Sequence, residues 1–223
     1  MIFSEEEIRL FETIEHQRTI MIHANRGLKY RDFGAGNPDE ERTIDTMYNG
    51  VEVESSTAKN CQIGLKGEWA QWIYSQVKKY QPQTILELGT NCGFSSIYMA
   101  KANRYSTVHT IEGAEAIANI ARENFNALGC DNIIQHLGRF QDVLENVLIM
   151  IKRVDFAFID GHHDYQATID YFEQIKPFLS EHAVVVFDDI SWSDGMRQAW
   201  IEILKDSKIK QFEDLTKLGI IYL

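Results

Sequence analysis

"TILELGTNCGFSSIYMA", residues 84–100, decides the fold of this chain. Thr84 to Leu88 is a short apolar run with a β-branched start, the pattern of a strand buried on both faces. Gly89 and Gly93 bracket a tight turn, and from Phe94 the pattern becomes helical. A strand that ends on glycines and turns directly into a helix opens a parallel α/β unit. In such sheets ligands collect beyond the carboxyl ends of the strands.

Working outward, the same alternation recurs. Strand-like runs stand at 107–111 (TVHTI), 132–137 (NIIQHL), 154–159 (VDFAFI) and 183–188 (AVVVFD). Helical patterns fill 94–103, 115–128, 140–151 and 165–179, and a further helix is expected near 194–206. The last two runs, IKQFEDL and LGIIYL, have only a short turn between them and are expected to pair antiparallel at one sheet edge. The expected fold is a doubly wound, mostly parallel seven-stranded α/β sheet with an N-terminal helical extension. Upstream, Trp69, Trp72, Ile73, Val77 and Tyr80 repeat at helical spacing before Pro82. Ser4 and Glu7 form a capping box ahead of Ile8, Phe11, Ile14, Met21 and Ile22. From about 25 to 60 the periodicity disappears into a charged, glycine-containing stretch, the signature of a functional loop or of a disordered one. Residues 1–60 are therefore expected to be a helix plus a lid-like segment, and 61–223 the α/β domain.

Composition narrows the function. Among 223 residues, 33 Asp and Glu outnumber 22 Lys and Arg for a net charge of −11, so a nucleic-acid backbone is excluded as a partner. No apolar run is long enough for a membrane span, and the acidic start MIFSEEEIRL lacks a leader pattern. Cys61, Cys92 and Cys130 are odd in number and widely spaced, giving neither a disulfide framework nor a metal pair. A cytoplasmic enzyme is expected; a homodimer is compatible with the sequence and not required by it.

The glycine turn narrows it further. Its spacing is G-x-x-x-G, so it lacks the third glycine of the G-x-G-x-x-G dinucleotide fingerprint and the G-K-[ST] of a P-loop. Glu87, just ahead of the first glycine, suits a cationic group better than a pyrophosphate. Glu112 ends the second strand, where an acid can take both hydroxyls of a ribose. Adenosine with a cationic amino-acid tail is S-adenosylmethionine (SAM).

These residues carry a resemblance. ILELGTNCGFSSIYMA, TIE and VDFAFID…VVVFDDI together resemble the class I SAM-dependent O-methyltransferases with their Rossmann-like fold, above all the catechol and caffeoyl-CoA type and the antibiotic-sugar enzymes. The resemblance spans about 60–223 and leaves the first 58 or so residues unmatched. It implies that Glu87 and Gly89 lie by the methionine part of SAM, Ser95 at its carboxylate, Glu112 at the ribose, and Arg139 and Phe140 beside the adenine. Thr90, Gly93, Gly113 and Asp160 complete the implied cofactor set.

Asp160, Asp188 and Asp189 close adjacent strands, an arrangement that is costly without a cation between them. Their hard oxygens suit Mg²⁺, and the matching positions in the metal-dependent enzymes ligate it. A metal there would lower the pKa of an acceptor hydroxyl. The lysine that serves those enzymes as base is missing: the loop is one residue shorter and reads Gly161-His162-His163-Asp164. His163 aligns best with it, His162 is second, and Asp164 could orient a ring. A surface histidine pair is the plain alternative, and a zinc site of His162, His163 and Asp160 is disfavoured. Trp192 and Trp200 suit core packing or substrate contact equally, and Cys92 is a small filler. The expected activity is methyl transfer from SAM to a hydroxyl of a small molecule, assisted by a divalent metal. Its alternatives are a metal-independent methyltransferase acting on another atom, a non-catalytic SAM binder and, weakest, an NAD-dependent dehydrogenase. The lysines and arginines Arg26, Lys29 and Arg31 form a basic cluster that could meet an anionic acceptor or simply face solvent.

Overall fold

In the computed structural model, which describes residues 1–36, 40 and 42–223, the strand at Thr84–Leu88 is the centre of the sheet. Numbered in chain order, the strands of that sheet are β3 (Thr84–Leu88), β4 (Thr107–Glu112), β5 (Ile133–Leu137), β6 (Val154–Ile159), β7 (Leu179–Phe187), β8 (Gln211–Asp214) and β9 (Gly219–Tyr222). They run in the order β5-β4-β3-β6-β7-β9-β8, parallel through β7 and antiparallel for β9 and β8. The chain steps outward from β3 to β5, then returns to place β6 on the other side of β3. This reversal opens a crevice at the carboxyl ends of β3 and β6. The seven-stranded expectation holds, with β9 inserted between β7 and β8.

Side-chain alternation assigns the two faces. Ile85, Phe156, Phe158 and Val186 face a core shared with α1 (Glu5–Ala24), α4 (Gly67–Tyr80), α5 (Phe94–Ala102) and α6 (Glu115–Ala127). Leu86, Leu88, Val185 and Phe187 face the other, built with α7 (Phe140–Ile151), α8 (Tyr165–Ile175) and α9 (Asp194–Ile203). By the same period of two, Glu87 shares the face of Ile85 and points beneath α5. Trp200 is buried in the second core, which settles its role as packing. Cys61, Cys92 and Cys130 are free and buried. Among the described residues no helix is long and apolar enough to cross a membrane.

The stretch expected to be structureless is not so. β1 (Gly27–Asp32) pairs antiparallel with β2 (Val51–Ser56) in a separate ladder running from Gly27↔Ser56 to Asp32↔Val51. α2 (Ile44–Asn49) and α3 (Thr57–Asn60) flank β2. Pro38, part of the loop signal, lies outside the described residues. Only one face of this ladder is covered, so alternation is confined to Leu28, Tyr30, Val51 and Val53 amid charged residues. The basic cluster lies in this ladder or beside it and is paired: Arg26 with Glu123 at 2.7 Å, Lys29 with Glu54 at 3.8 Å and Arg31 with Glu52 at 3.9 Å. These exposed pairs suit a solvated face rather than an anion site.

α1 is fixed to the domain by polar contacts at both halves. Ser4 and Glu7 cap each other reciprocally, and Lys78 of α4 donates to Glu7 at 2.6 Å. Arg18 is buried; it donates to the carbonyls of Cys61 and Leu65 at 3.0 and 2.9 Å and lies 4.0 Å over the Phe94 ring. The Lys78 hydrogen bond, with the Ser4 amide, holds the Glu7 carboxyl at about 2 against an ordinary 4.5. A depressed carboxyl stabilises the fold above its ordinary value and ceases to do so as pH falls through the depressed one. Glu7→Gln should therefore cost about 1 kcal/mol at pH 7, with Lys78 largely in solvent. Thermal melts should show that gap narrowing as pH drops from about 4.5 toward 2.

Candidate active site

The crevice at the strand ends opens into a cavity of about 320 Å³. Its floor depends on an approach that only glycine permits. Gly89 has φ +100°, and a Cβ there would stand 1.9 Å from the carbonyl oxygen of Asp160. The turn is held from the other side as well, since the amides of Gly89 and Thr90 donate to the Ile111 carbonyl at 3.1 and 3.2 Å. Gly93, at φ +85°, starts α5 with its missing side chain against the Phe125 ring.

Not every residue expected at the cofactor reaches this cavity. Glu87 is fully buried under the turn, where Ser95 and Thr110 donate to it at 2.5 Å each and Ser96 donates as well. Thr90 bonds Thr110 in the same layer at 2.6 Å. Glu87, Thr90, Gly93 and Ser95 thus shape the turn from below and do not line the main cavity. Gly89, Glu112, Gly113, Arg139 and Phe140 do line it. Burial raises the Glu87 carboxyl to about 7, against the pull of three hydroxyl donors.

Glu112 accepts from the Asn91 amide at 2.8 Å and the Ala114 amide at 2.9 Å, one on each carboxylate oxygen. The Gly113 amide also acts on the carboxylate, and the remaining lone pairs are open to a further donor. Asn91, which the sequence did not single out, lines the cavity in left-handed conformation, and its buried side-chain oxygen has no partner among the described residues. Gly113 lets the Phe33 ring approach, a Cβ there meeting it at 2.8 Å. Arg139 is paired with Asp142 and also donates to the Tyr48 carbonyl at 3.3 Å. Phe140 lies on Gly161 and edge-on to Tyr171, ring centroids 5.4 Å apart.

The far end of the cavity collects the acids and histidines. Asp160, His162, His163, Asp188 and Asp189 all line it. His162 and His163 both have positive φ, 70° and 49°, so the loop is tightly constrained. The two rings have different partners. His162 Nδ1 is 2.9 Å from the Tyr171 hydroxyl, its ring lies 4.6 Å from that of Tyr48, and its carbonyl accepts from Ala35 at 2.8 Å. His163 Nε2 is 3.7 Å from Asp160 Oδ1, its Nδ1 is buried without a partner, and Trp192 lies beside the ring. Burial lowers both imidazoles, His162 to about 4, so both are held neutral near pH 7. Asp164 orients neither ring; it caps α8 by accepting from Gln166 and Ala167.

The acids do not stand alone. Lys217, in the turn between β8 and β9, donates to Asp188 Oδ1 at 2.7 Å and to Asp189 Oδ1. Its carbonyl accepts from Ile190 at 3.1 Å, so main chain and side chain both tie this turn to the end of β7. Among the described residues, no three of His, Cys, Asp and Glu are grouped so as to hold a metal ion. Burial, then the Asp188 and Asp189 charges, push the Asp160 carboxyl well above its ordinary range.

Comparison with known proteins agrees with this geometry. Residues 86–190 match the family model described as a methyltransferase domain. The chain is 28% identical over 167 residues to a probable O-methyltransferase of Mycobacterium tuberculosis, covering 70% of this chain and 67% of that protein. It is 24% identical over 168 residues to the catechol O-methyltransferase of the same organism, covering 71% and 74%. Among solved structures, the O-methyltransferase TomG of Streptomyces achromogenes in complex with SAM superposes with a TM-score of 0.62 at 22% identity, covering 72% of this chain and 81% of that one. At that identity the likeness is one of fold.

The buried carboxylate beneath the turn gives a direct test. Glu87→Leu leaves three buried hydroxyls without their acceptor and should cost about 3 kcal/mol or more in urea unfolding. Glu87→Gln keeps an acceptor of the same size and should cost much less. Because the folded carboxyl is raised to about 7, its contribution is full below 4.5 and is lost as pH rises through 7. The wild type should gain stability on acidification across that window, and Glu87→Gln should lack the gain.

Proposed function

We infer that this chain, which carries a methyltransferase domain over residues 86–190, is a SAM-dependent O-methyltransferase acting on a small-molecule hydroxyl. One observation supports it most: a single cavity runs from Glu112 at the end of β4, past the Gly89 turn, to the acids and histidines at the ends of β6 and β7. The residues there fit SAM. Glu112 keeps acceptor capacity for the ribose hydroxyls, and the unpartnered Asn91 oxygen suits a donor such as the ammonium of the methionine part. Phe140 offers a ring face to the adenine, and Arg139 stands beside it. When bound, SAM supplies a methyl group on a sulfonium, whose positive charge disappears on transfer.

The chain's own residues then have three tasks. His163 takes the acceptor proton: its imidazole is neutral and its Nδ1 is buried in the cavity wall without a partner. His162, committed to Tyr171, holds the loop in register and is the lesser candidate. The β1–β2 ladder and Phe33 just beyond β1 act as the lid, with Tyr30, Phe33 and Val53 lining the cavity opposite the strand ends. Excluding water there protects the donor and strengthens every electrostatic contact. Arg42 and Arg139 at the rim are paired with Asp32 and Asp142, which favours an uncharged hydroxyl acceptor over an anionic one.

Metal assistance, expected from Asp160, Asp188 and Asp189, finds less support. The Lys217 ammonium takes up Asp188 Oδ1 and Asp189 Oδ1, Asp188 Oδ2 stays buried without a partner, and among the described residues no three ligating side chains are grouped, so no step is derived through a divalent ion.

Calorimetry should show binding of SAM and of its demethylated product, and none of NAD. Glu112→Ala should weaken SAM by about 1–3 kcal/mol. Methyl-labelled SAM with a panel of phenols, sugars and other alcohols should give an O-methylated product; label found only on nitrogen, carbon or sulfur acceptors overturns the O-transfer reading. His163→Ala should lower turnover about 100-fold or more with SAM affinity intact, whereas an unchanged rate would remove His163 as base.

A further inference from the structure

We propose that Lys217 is the built-in cation of the acceptor end of the site, holding Asp188 and Asp189 apart from solvent cations and donating a hydrogen bond to the acceptor oxygen. The proposal rests on the methyl-transfer reading above and deepens it: the enzyme works without a divalent metal.

Topology puts the lysine there. β9 runs antiparallel to β7 with Gly219 opposite Phe187. The residue two before Gly219 therefore stands beside the residues that follow Phe187, which are Asp188 and Asp189. The Ile190 amide bonded to the Lys217 carbonyl at 3.1 Å fixes that juxtaposition in the main chain. The side chain completes it, at 2.7 Å from Asp188 Oδ1 and in contact with Asp189 Oδ1.

An ammonium has three N–H donors. Two are used by Asp188 and Asp189. The side chain is 31% exposed and lines the cavity, so the third is available to a ligand oxygen. The titratable groups that face it are Asp188 and Asp189 at the β7 end, and Asp160 and His163 at the β6 end. A hexacoordinate Mg²⁺ demands oxygen ligands at about 2.0–2.1 Å in octahedral array. A tethered ammonium already bonded to two of the three carboxylates competes with it intramolecularly for their oxygens. Lysine thus supplies part of the positive charge that the strand-end acids require.

The step balances without a metal. As the acceptor O–CH₃ bond forms, the S–CH₃ bond breaks and its electron pair stays on sulfur, turning sulfonium into thioether. The acceptor proton leaves to His163 and then to solvent. Lys217 keeps its three protons throughout and stabilises the charge developing on the acceptor oxygen by a preorganised hydrogen bond.

The test uses Lys217→Met, Lys217→Ala and Lys217→Arg beside the wild type. Mn²⁺ binding is followed by electron paramagnetic resonance, SAM binding by calorimetry, folding by thermal melts and transfer with labelled SAM. Wild type should bind no Mn²⁺ at the site, and EDTA should leave its transfer rate unchanged. Lys217→Met should lose roughly 100-fold in turnover with SAM affinity within twofold, and Lys217→Arg should restore part of it. Lys217→Ala should acquire Mn²⁺ binding at the vacated carboxylates. Stoichiometric Mn²⁺ binding by the wild type, loss of transfer in EDTA, or full turnover in Lys217→Met each overturns the proposal. If SAM binds and no acceptor is ever labelled, the functional reading fails, while the Mn²⁺ titrations of wild type and Lys217→Ala still decide whether the lysine holds the cation position.

Discussion

The contact between Gly89 and the Asp160 carbonyl is the constraint on which the site depends. β3 and β6 are neighbours in the sheet, yet their chains diverge at the carboxyl ends, one into α5 and the other into the histidine loop. For the crevice between them to be narrow, one backbone must lie against the other, and only a residue without Cβ at φ +100° allows it. Any side chain would push the strand ends apart, and with them Glu112 on one side and the acids on the other. Beneath this contact, the Glu87 carboxylate draws in Ser95, Ser96 and Thr110, so the start of α5 is tied to β3 and β4. The turn is thereby fixed from above by backbone and from below by a buried charge.

Much of this was legible in the sequence. The inner strands β3, β6 and β7 carry dense apolar runs because both faces are covered, and such runs give a clear signal. The glycine turn and the acid ending β4 follow from local spacing alone. Residues 27–32 and 51–56 were not legible as a ladder, because a two-stranded unit with one exposed face leaves only Leu28, Tyr30, Val51 and Val53 to show its period. Glu87 does not reach the main cavity, for a related reason. Its place before the glycine suggested a ligand contact, whereas the period of two along β3 turns it toward the α5 face with Ile85. That alternation was available in TILEL and was outweighed by proximity to the turn.

Lys217 illustrates a stricter limit. It meets Asp188 and Asp189 from 28 or more positions away, in a turn with no motif. What joins them is the register of β9 on β7, and register is decided by which face of a strand is apolar and by the turn that precedes it. That three strand-end carboxylates call for positive charge is legible in the sequence; that Lys217 reaches two of them is decided by the way the last hairpin folds back into the sheet, between β7 and the edge.

The same charge reasoning carries one step further. One ammonium cannot neutralise three carboxylates in a buried place, and the remainder falls on Asp160, which burial and the charges of Asp188 and Asp189 drive toward its protonated form. A site in that state is short of positive charge rather than of ligands. In the proposed reaction the sulfonium provides it on binding and removes it on transfer, when the donor becomes a neutral thioether. The electrostatic environment then favours the charged donor over the spent one, which is the order needed for product to leave and fresh SAM to enter. Lys217 cannot serve that alternation, because it stays charged throughout; it sets the baseline against which the donor's charge comes and goes.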